Sequence, residues 1–449
     1  MSAPITPISI LAAELAAGAT TSRALVEAAL ARIDDPAGEG KRVMLKVHRE
    51  AALAAADASD TLRARGYVPS PLAGLPVSIK DLYDIAGDVT TVGARVTRNE
   101  PPATSDAAAV ARLRQAGAVV IGRTNMTEFA YSGLGLNPHY DTPRNPWDRA
   151  TGRIPGGSSS GAAVSVSDGM AAFALGSDTG GSVRIPSSLC GLTGFKPTTR
   201  RVPMDGAFPL STTLDSAGPL APGVACCAVI DAVLAGEPPV APTPMPFTGL
   251  RLAVPQTLVL DRLDETVARD FDRALATLSR AGARITEIAF EELAEVPKLN
   301  ANGGIFAEAY AVHRNRLRTD ADQYDPRVAS RILRVKDMDV ADYYDVLQAR
   351  TALIKDADAT TAPFDAVITP TTAIVAPPIA AFDGDDKYYG VTNLLMLRNT
   401  FCFNFLDRCA LTIPMHRPGD APTGLMVVGE TMGDRRLFSI GLAIEEVLR

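Results

Sequence analysis

Hydrophobic positions recur at helical spacing over residues 21–34, TSRALVEAALARID, where Leu25, Val26, Ala29, Leu30 and Ile33 share one face. Thr21 stands where an N-cap belongs, so the stretch predicts an amphipathic helix. The period then changes. Residues 71–81, PLAGLPVSIKD, hold an apolar run from Pro76 to Lys80 that predicts a short buried strand. Asp106 is placed to cap a helix reaching Gln115, with Val110 and Leu113 inward; Gly117 then stops it, and AVVIG predicts a strand. The same order returns as a helix carrying Leu263, Val267, Phe271, Leu275 and Leu278, then Gly282, then ARITEI. Helix, glycine and strand in that order predict an α/β sheet covered by helices, although the two copies share too little to be a repeat.

A proline-rich segment, GEPPVAPTPMPF at 236–247, is the clearest linker. Strand-like runs resume beyond it in RLAVP, FDAVITP and LMVVGE, which favours a surface crossing between halves of one sheet over a domain boundary. Residues 291–350 are richer in Arg, Asp and Tyr and predict a helical insertion or lid. Residues 1–70 read as an N-terminal helical region, and the whole of 1–449 as a single domain.

Composition narrows the classes. With 47% hydrophobic and 21% charged residues the 449-residue chain is globular in character. A net charge of −7 offers no basic footprint for nucleic acid or an anionic membrane. No apolar run is long enough to span a bilayer, and the N-terminal stretch, interrupted by Glu14 and lacking a basic start, does not read as a signal peptide. The expected location is the cytoplasm. Five cysteines (Cys190, Cys226, Cys227, Cys402, Cys409) without a C-x-x-C fit reduced thiols. The four histidines, His48, His139, His313 and His416, show no metal-ligand spacing, so neither a metal nor another cofactor is expected.

Two serine–glycine stretches carry the candidate chemistry. PGGSSSGAA, residues 155–163, suits a linker, a phosphate-binding turn or a catalytic turn. The small apolar run AAVSVSDGMAAFALGSD that follows argues against a linker, and the missing G-K-[ST] ending argues against a phosphate loop. In DTGGSVRIP, 178–186, two glycines before Ser182 permit a tight turn whose N–H groups converge, as an oxyanion site requires. Asp178 and Arg184 flank that turn and suit a bracing salt bridge. A serine nucleophile needs a base, and a lysine neutralised by burial can serve. Lys80 ends an apolar run and suits that role; the other reading is a surface lysine paired with Asp81 or Asp84.

The segments GLPVSIKD, GGSSSG and GSDTGGSVRIP, in that order, resemble the amidase signature family of serine hydrolases. The resemblance is closest over 74–200, includes GRTNMTEFAYSG (122–133) and NPWD (145–148), and extends weakly to PTGLMVVGE. It implies a single amidase-signature domain around a large mixed, mostly parallel twisted sheet with helices on both faces, its catalytic core at 74–200. It also implies a Ser–cis-Ser–Lys triad: Ser182 as nucleophile, Ser158 as bridging serine after a cis bond from Gly157, and Lys80 as base. The backbone N–H groups of Thr179, Gly180, Gly181 and Ser182 would hold the oxyanion, with Ser159, Asp178 and Arg184 in support. Tyr131 suits either the wall of the substrate pocket or core packing. Two departures stand out: Asn404-Phe-Leu-Asp-Arg-Cys409 where G-L-P commonly follows the asparagine, and Met426 where glutamine is common. The implied activity is hydrolysis of a small-molecule carboxamide, with aryl esters and carbamates open, by a monomer or homodimer. The other readings are the glutaminase-like component of a tRNA-dependent amidotransferase, acting with partner chains, and a non-catalytic binding protein.

Overall fold

The computed structural model describes residues 5–301 and 303–449. Among them, eleven strands form one sheet. In chain order they are β1 (Met44–Val47), β2 (Pro76–Lys80), β3 (Val119–Thr124), β4 (Phe173–Asp178), β5 (Thr193–Lys196) and β6 (Ser216–Ala221). There follow β7 (Arg251–Pro255), β8 (Arg284–Ile288), β9 (Ala366–Pro370), β10 (Ala410–Pro414) and β11 (Gly424–Val428). Across the sheet the order is β1-β3-β2-β4-β6-β5-β10-β11-β9-β7-β8.

Two parallel arms, β3-β2-β4 and β9-β7-β8, flank an antiparallel centre. The sheet is mixed, as expected, but six of its ten pairings are antiparallel, so "mostly parallel" is corrected. The reason lies in which strands announce themselves. Both helix–glycine–strand copies sit in the arms, where the helices Ala108–Gln115 and Glu265–Arg280 cross from β2 to β3 and from β7 to β8. Parallel neighbours require such crossovers and antiparallel neighbours do not. The central strands β5 and β6 instead read TGFK and SAGPLA, with small residues forced by close approach. A methyl group on Gly218 would lie 2.0 Å from the Phe195 carbonyl oxygen.

Alternation along the arm builds a core on each face. Val120, Phe173 and Leu175 join one core with Val110 and Leu113, whereas Val119, Ile121 and Ala174 join another with Val26, Leu30 and Val164. The helix Ser22–Asp34 buries Val26, Ala29, Leu30 and Ile33, and the Thr21 hydroxyl accepts the Ala24 N–H at 3.0 Å. Asp106 does not cap its helix, which begins at Ala108. Its carboxylate accepts the Ala86 N–H at 2.9 Å and pairs with Arg114 at 2.9 Å. The N-terminal region is helical except for β1, which completes the sheet edge. Segment 236–247 carries the chain from the helix Val224–Ala235 to β7 within the same sheet. Residues 291–350 are helical, with Glu292–Leu299, Ala307–Thr319 and Pro326–Ile332 followed by a helix, Val340–Thr361, that outruns the expected boundary.

Candidate active site

The site lies where the parallel strands β2 and β4 end side by side, Ile79 opposite Leu175. Continued by one residue, this register brings Lys80, the last residue of β2, opposite Gly176, with Ser177 next along β4. Lys80 Nζ donates to Ser158 Oγ at 2.7 Å and to Ser177 Oγ at 2.8 Å. The side chain is wholly buried, and neither Asp81 nor Asp84 pairs with it. Asp81 is engaged by Arg123 at 2.7 Å and Asp84 by Thr90 at 2.6 Å, which excludes the surface reading. Burial penalises the ammonium form and pushes the Lys80 pKa down to about 7, although the nearby charges of Asp178 and Asp215 oppose this.

Ser158 follows a cis peptide bond from Gly157, and its carbonyl accepts the Thr127 N–H at 3.1 Å. The helix Ser160–Ser167 starts immediately afterwards and is buried along its whole length. Its small residues are a packing requirement: a methyl group on Gly161 would lie 2.7 Å from the Asn125 backbone. Ser159 Oγ donates to the Ser177 carbonyl at 3.4 Å, and its N–H meets the Ser182 carbonyl at 3.3 Å, tying the two serine loops together. Ser158 is fully buried, while Ser182 keeps a 4% opening to solvent.

Asp178 braces the second turn. Its carboxylate accepts the N–H groups of Gly181 (2.8 Å) and Val183 (3.1 Å), the Arg184 guanidinium (two bonds of 3.0 Å) and Asn404 Nδ2 (2.8 Å). Burial opposes its ionisation, but the Arg184 charge and these bonds outweigh that and hold Asp178 below the usual carboxylate range. The expected bracing salt bridge is present. One expectation is corrected: the Gly181 N–H is committed to Asp178 and leaves the proposed oxyanion set. The N–H groups of Thr179, Gly180 and Ser182 have no backbone acceptor among the described residues. Gly181 itself has φ +132, and a methyl group there would lie 2.2 Å from Thr400 Oγ1, so this turn requires glycine. Thr400 Oγ1 also donates to the Gly180 carbonyl at 2.7 Å.

The departures from the family pattern fall on this brace. Asn404 also reaches Arg184, whose Nη1 contacts Met426 Sδ at 3.2 Å, in place of a polar side chain there. Tyr131 is buried and packed against Phe306, with ring centroids 5.5 Å apart. It also stands close to the serines along the chain: the Gly133 carbonyl, two residues on, accepts the Gly157 N–H at 2.8 Å. The motif reading missed Ser177, visible only through the β2–β4 register, and Asp215. The Asp215 carboxylate accepts Thr179 Oγ1 at 2.5 Å, and burial pushes its pKa up to about 6. The four histidines lie apart from these groups; His48 pairs with Asp88, His139 with Glu128 and His313 with Tyr324.

A buried lysine–serine pair beside a second serine in a braced, donor-rich turn is the equipment of a serine hydrolase. The Amidase family profile matches residues 24–438. The chain is 36% identical to the 2-amino-5-chloromuconic acid deaminase of Comamonas testosteroni, over 88% of this chain and 86% of that one. It is 34% identical to a glutamyl-tRNA(Gln) amidotransferase chain of Chloroflexus aggregans (strain MD-66 / DSM 9485), over 96% and 94%. A solved structure described as an amidase superposes with TM-score 0.88 and 31% identity, covering 98% of this chain and 99% of the other. The chain belongs to the amidase family, whose members hydrolyse amide C–N bonds.

Proposed function

We propose that this protein hydrolyses the carboxamide bond of a non-peptide small molecule through a seryl acyl-enzyme. The observation that carries the reading is Lys80 Nζ, buried and 2.7 Å from Ser158 Oγ, beside the turn that holds Ser182. Burial lowers the Lys80 pKa to about 7, which makes the neutral amine accessible near neutral pH, and that amine accepts from Ser158 while still donating to Ser177. In the first step Lys80 takes the Ser158 proton, Ser158 takes that of Ser182, and Ser182 Oγ attacks the carbonyl carbon. The N–H groups of Thr179, Gly180 and Ser182 stabilise the oxygen that becomes negative. As the C–N bond breaks, Ser158 passes a proton to the leaving nitrogen and recovers one from Lys80. Water then attacks the acyl-enzyme by the same relay, and the acid leaves as Ser182 regains its proton. Aryl esters and carbamates fit the same chemistry. Five unpaired, buried cysteines support a cytoplasmic setting, and no helix among the described residues is long and apolar enough to cross a membrane.

The test is a serine-directed fluorophosphonate, expected to add one adduct to the wild type at Ser182 and none to Ser182→Ala by intact mass. Hydrolysis that proceeds without labelling, or labelling at another residue, overturns the assignment. A panel of aliphatic and aryl amides, ureas, carbamates and glutamine then defines the substrate. The similarity to the amidotransferase chain supports a second reading, ammonia release from glutamine for partner chains. Turnover of glutamine alone, together with co-purifying partner chains, would favour it.

A further inference from the structure

One carboxylate joins the helical stretch 291–350 to the candidate oxyanion turn. Glu308 lies in the first turn of the helix Ala307–Thr319, and its two oxygens accept four hydrogen bonds, all from uncharged groups. Oε2 accepts from Ser211 Oγ at 2.6 Å and from the Thr213 N–H at 3.1 Å. Oε1 accepts from Thr213 Oγ1 and, at 2.5 Å, from the hydroxyl of Tyr343 on the helix Val340–Thr361. Burial opposes the charge, but these bonds outweigh it and hold the Glu308 carboxyl below its usual value.

Loop 210–215 carries that contact to the turn. One oxygen of buried Asp215 accepts the N–H groups of Leu210 at 2.9 Å and Ser211 at 3.0 Å, and the other accepts Thr179 Oγ1 at 2.5 Å. The Asp215 N–H closes the loop on the Ser211 carbonyl at 2.8 Å. Ser216, next along, stands opposite Asp178 in the β4–β6 register, and its hydroxyl donates to the Asp178 carbonyl at 2.8 Å. That carbonyl and the Thr179 N–H belong to one planar peptide, so holding the first aims the second. The same helix end also reaches the turn from its apolar side. Phe306, two residues before Glu308, stacks on Phe401 with centroids 5.9 Å apart, and a methyl group on Gly180 would meet Phe401 at 3.4 Å.

We infer that Glu308 is a positioning residue for the hydrolysis: by fixing loop 210–215 it holds Asp215 and Ser216 against the turn and so aims the Thr179 and Gly180 N–H groups at the oxygen that becomes negative. Such donors stabilise a transition state only when preorganised, and a misplacement of about 1 Å costs roughly 100-fold in rate. Glu308 touches neither the substrate nor the nucleophile and acts through the turn. Segment 291–350 is therefore a buttress of the site and not a lid hinged free of it. Glutamine suits the same place. Its carbonyl accepts from the Thr213 N–H, and Thr213 Oγ1 and Tyr343 Oη are hydroxyls that turn to accept from its amide. Alanine leaves the loop donors without an acceptor. The inference rests on the proposed role of the Ser182 turn as the oxyanion site.

The probe is the rate at which a fluorophosphonate labels Ser182, which calls on the same donors for its phosphoryl oxygen and does not depend on knowing the amide. Glu308→Ala should lower the limiting rate at saturating probe by at least about 10-fold. The probe concentration giving half that rate should change by less than about 3-fold, and intact mass should still reach one adduct per chain. Glu308→Gln should label within about 3-fold of the wild-type rate. Thr213→Val removes one donor at constant shape and should slow labelling by about 3-fold. It carries the test where circular dichroism shows that Glu308→Ala does not fold. On any amide the enzyme turns over, the loss should fall on kcat and leave KM nearly unchanged. Glu308→Ala or Thr213→Val labelling as fast as the wild type, a loss confined to probe affinity or KM, or Glu308→Gln as slow as Glu308→Ala overturns the inference alone. A wild type that does not label at Ser182 overturns the proposed function, and this inference with it.

Discussion

In the arm β3-β2-β4 every residue of all three strands is buried, whereas in the arm β9-β7-β8 the outer strand β8 is exposed or half-buried throughout. Both arms follow one rule of construction, strand, crossover helix, glycine and parallel strand. They differ in what closes over them. The candidate catalytic arm is covered at its edge by β1 and on one face by the close-packed helix Ser160–Ser167, while β8 is left as an edge. The same kinds of residue therefore behave differently. The Arg184–Asp178 pair is wholly buried, and the Arg251–Asp365 pair lies at the surface with the arginine half exposed. Burial is what makes Lys80 a candidate base, because removing water is what disfavours its charge.

The comparison can be broken in order of expected effect. Ser182→Ala should lower kcat on any amide the enzyme turns over by roughly 10⁴-fold or more, measured under saturating substrate. A small loss would mean that the buried arm does not hold the nucleophile. Lys80→Ala should cost roughly 10³-fold or more while circular dichroism shows a folded chain; retained turnover removes it as base.

Asp178→Asn leaves Arg184 buried without its counter-ion and should destabilise the protein by roughly 3–5 kcal/mol, read from denaturant unfolding. The matching substitution in the other arm, Asp365→Asn, should leave Tm nearly unchanged, since water solvates Arg251. Equal losses from the two variants would show that burial does not distinguish the arms.

The pH profile sharpens the argument further. Only neutral Lys80 accepts a proton, so with its pKa lowered to about 7 by burial, kcat/KM should rise with pH through about 7 and then level. The ionised Asp215 carboxylate favours the charged lysine, so Asp215→Asn should move that limb to lower pH. A limb that stays in place removes Asp215 from the electrostatics of the site.

Much of this site was legible as local chemistry. GLPVSIKD ends an apolar run in a lysine, GGSSSG precedes a helix of small residues, and DTGGS spaces a serine behind two glycines. Each is a short stretch whose composition is set by a turn or by close packing. The crossover helices were legible for the same reason, since an amphipathic period survives in any window long enough to hold it. Strands β5 and β6 were hidden because close approach replaced their apolar side chains with glycine and proline. Thr400 lies 220 positions along the chain from the Gly180 carbonyl it binds, so no local motif announces it.

The sequence by itself pointed to the bracing pair Asp178–Arg184 and to the helices that cross each parallel arm, because each depends on neighbours a few positions away, while the candidate triad was named only by the family resemblance of its motifs. Tertiary structure alone decided that β2 and β4 lie in register and so set Lys80 between Ser158 and Ser177. It also removed the Gly181 N–H from the candidate donor set by turning it to Asp178. The lysine's partners depend on burial and on contacts between residues roughly 80 to 100 positions apart, a span over which only a packed sheet and its covering helices bring side chains together.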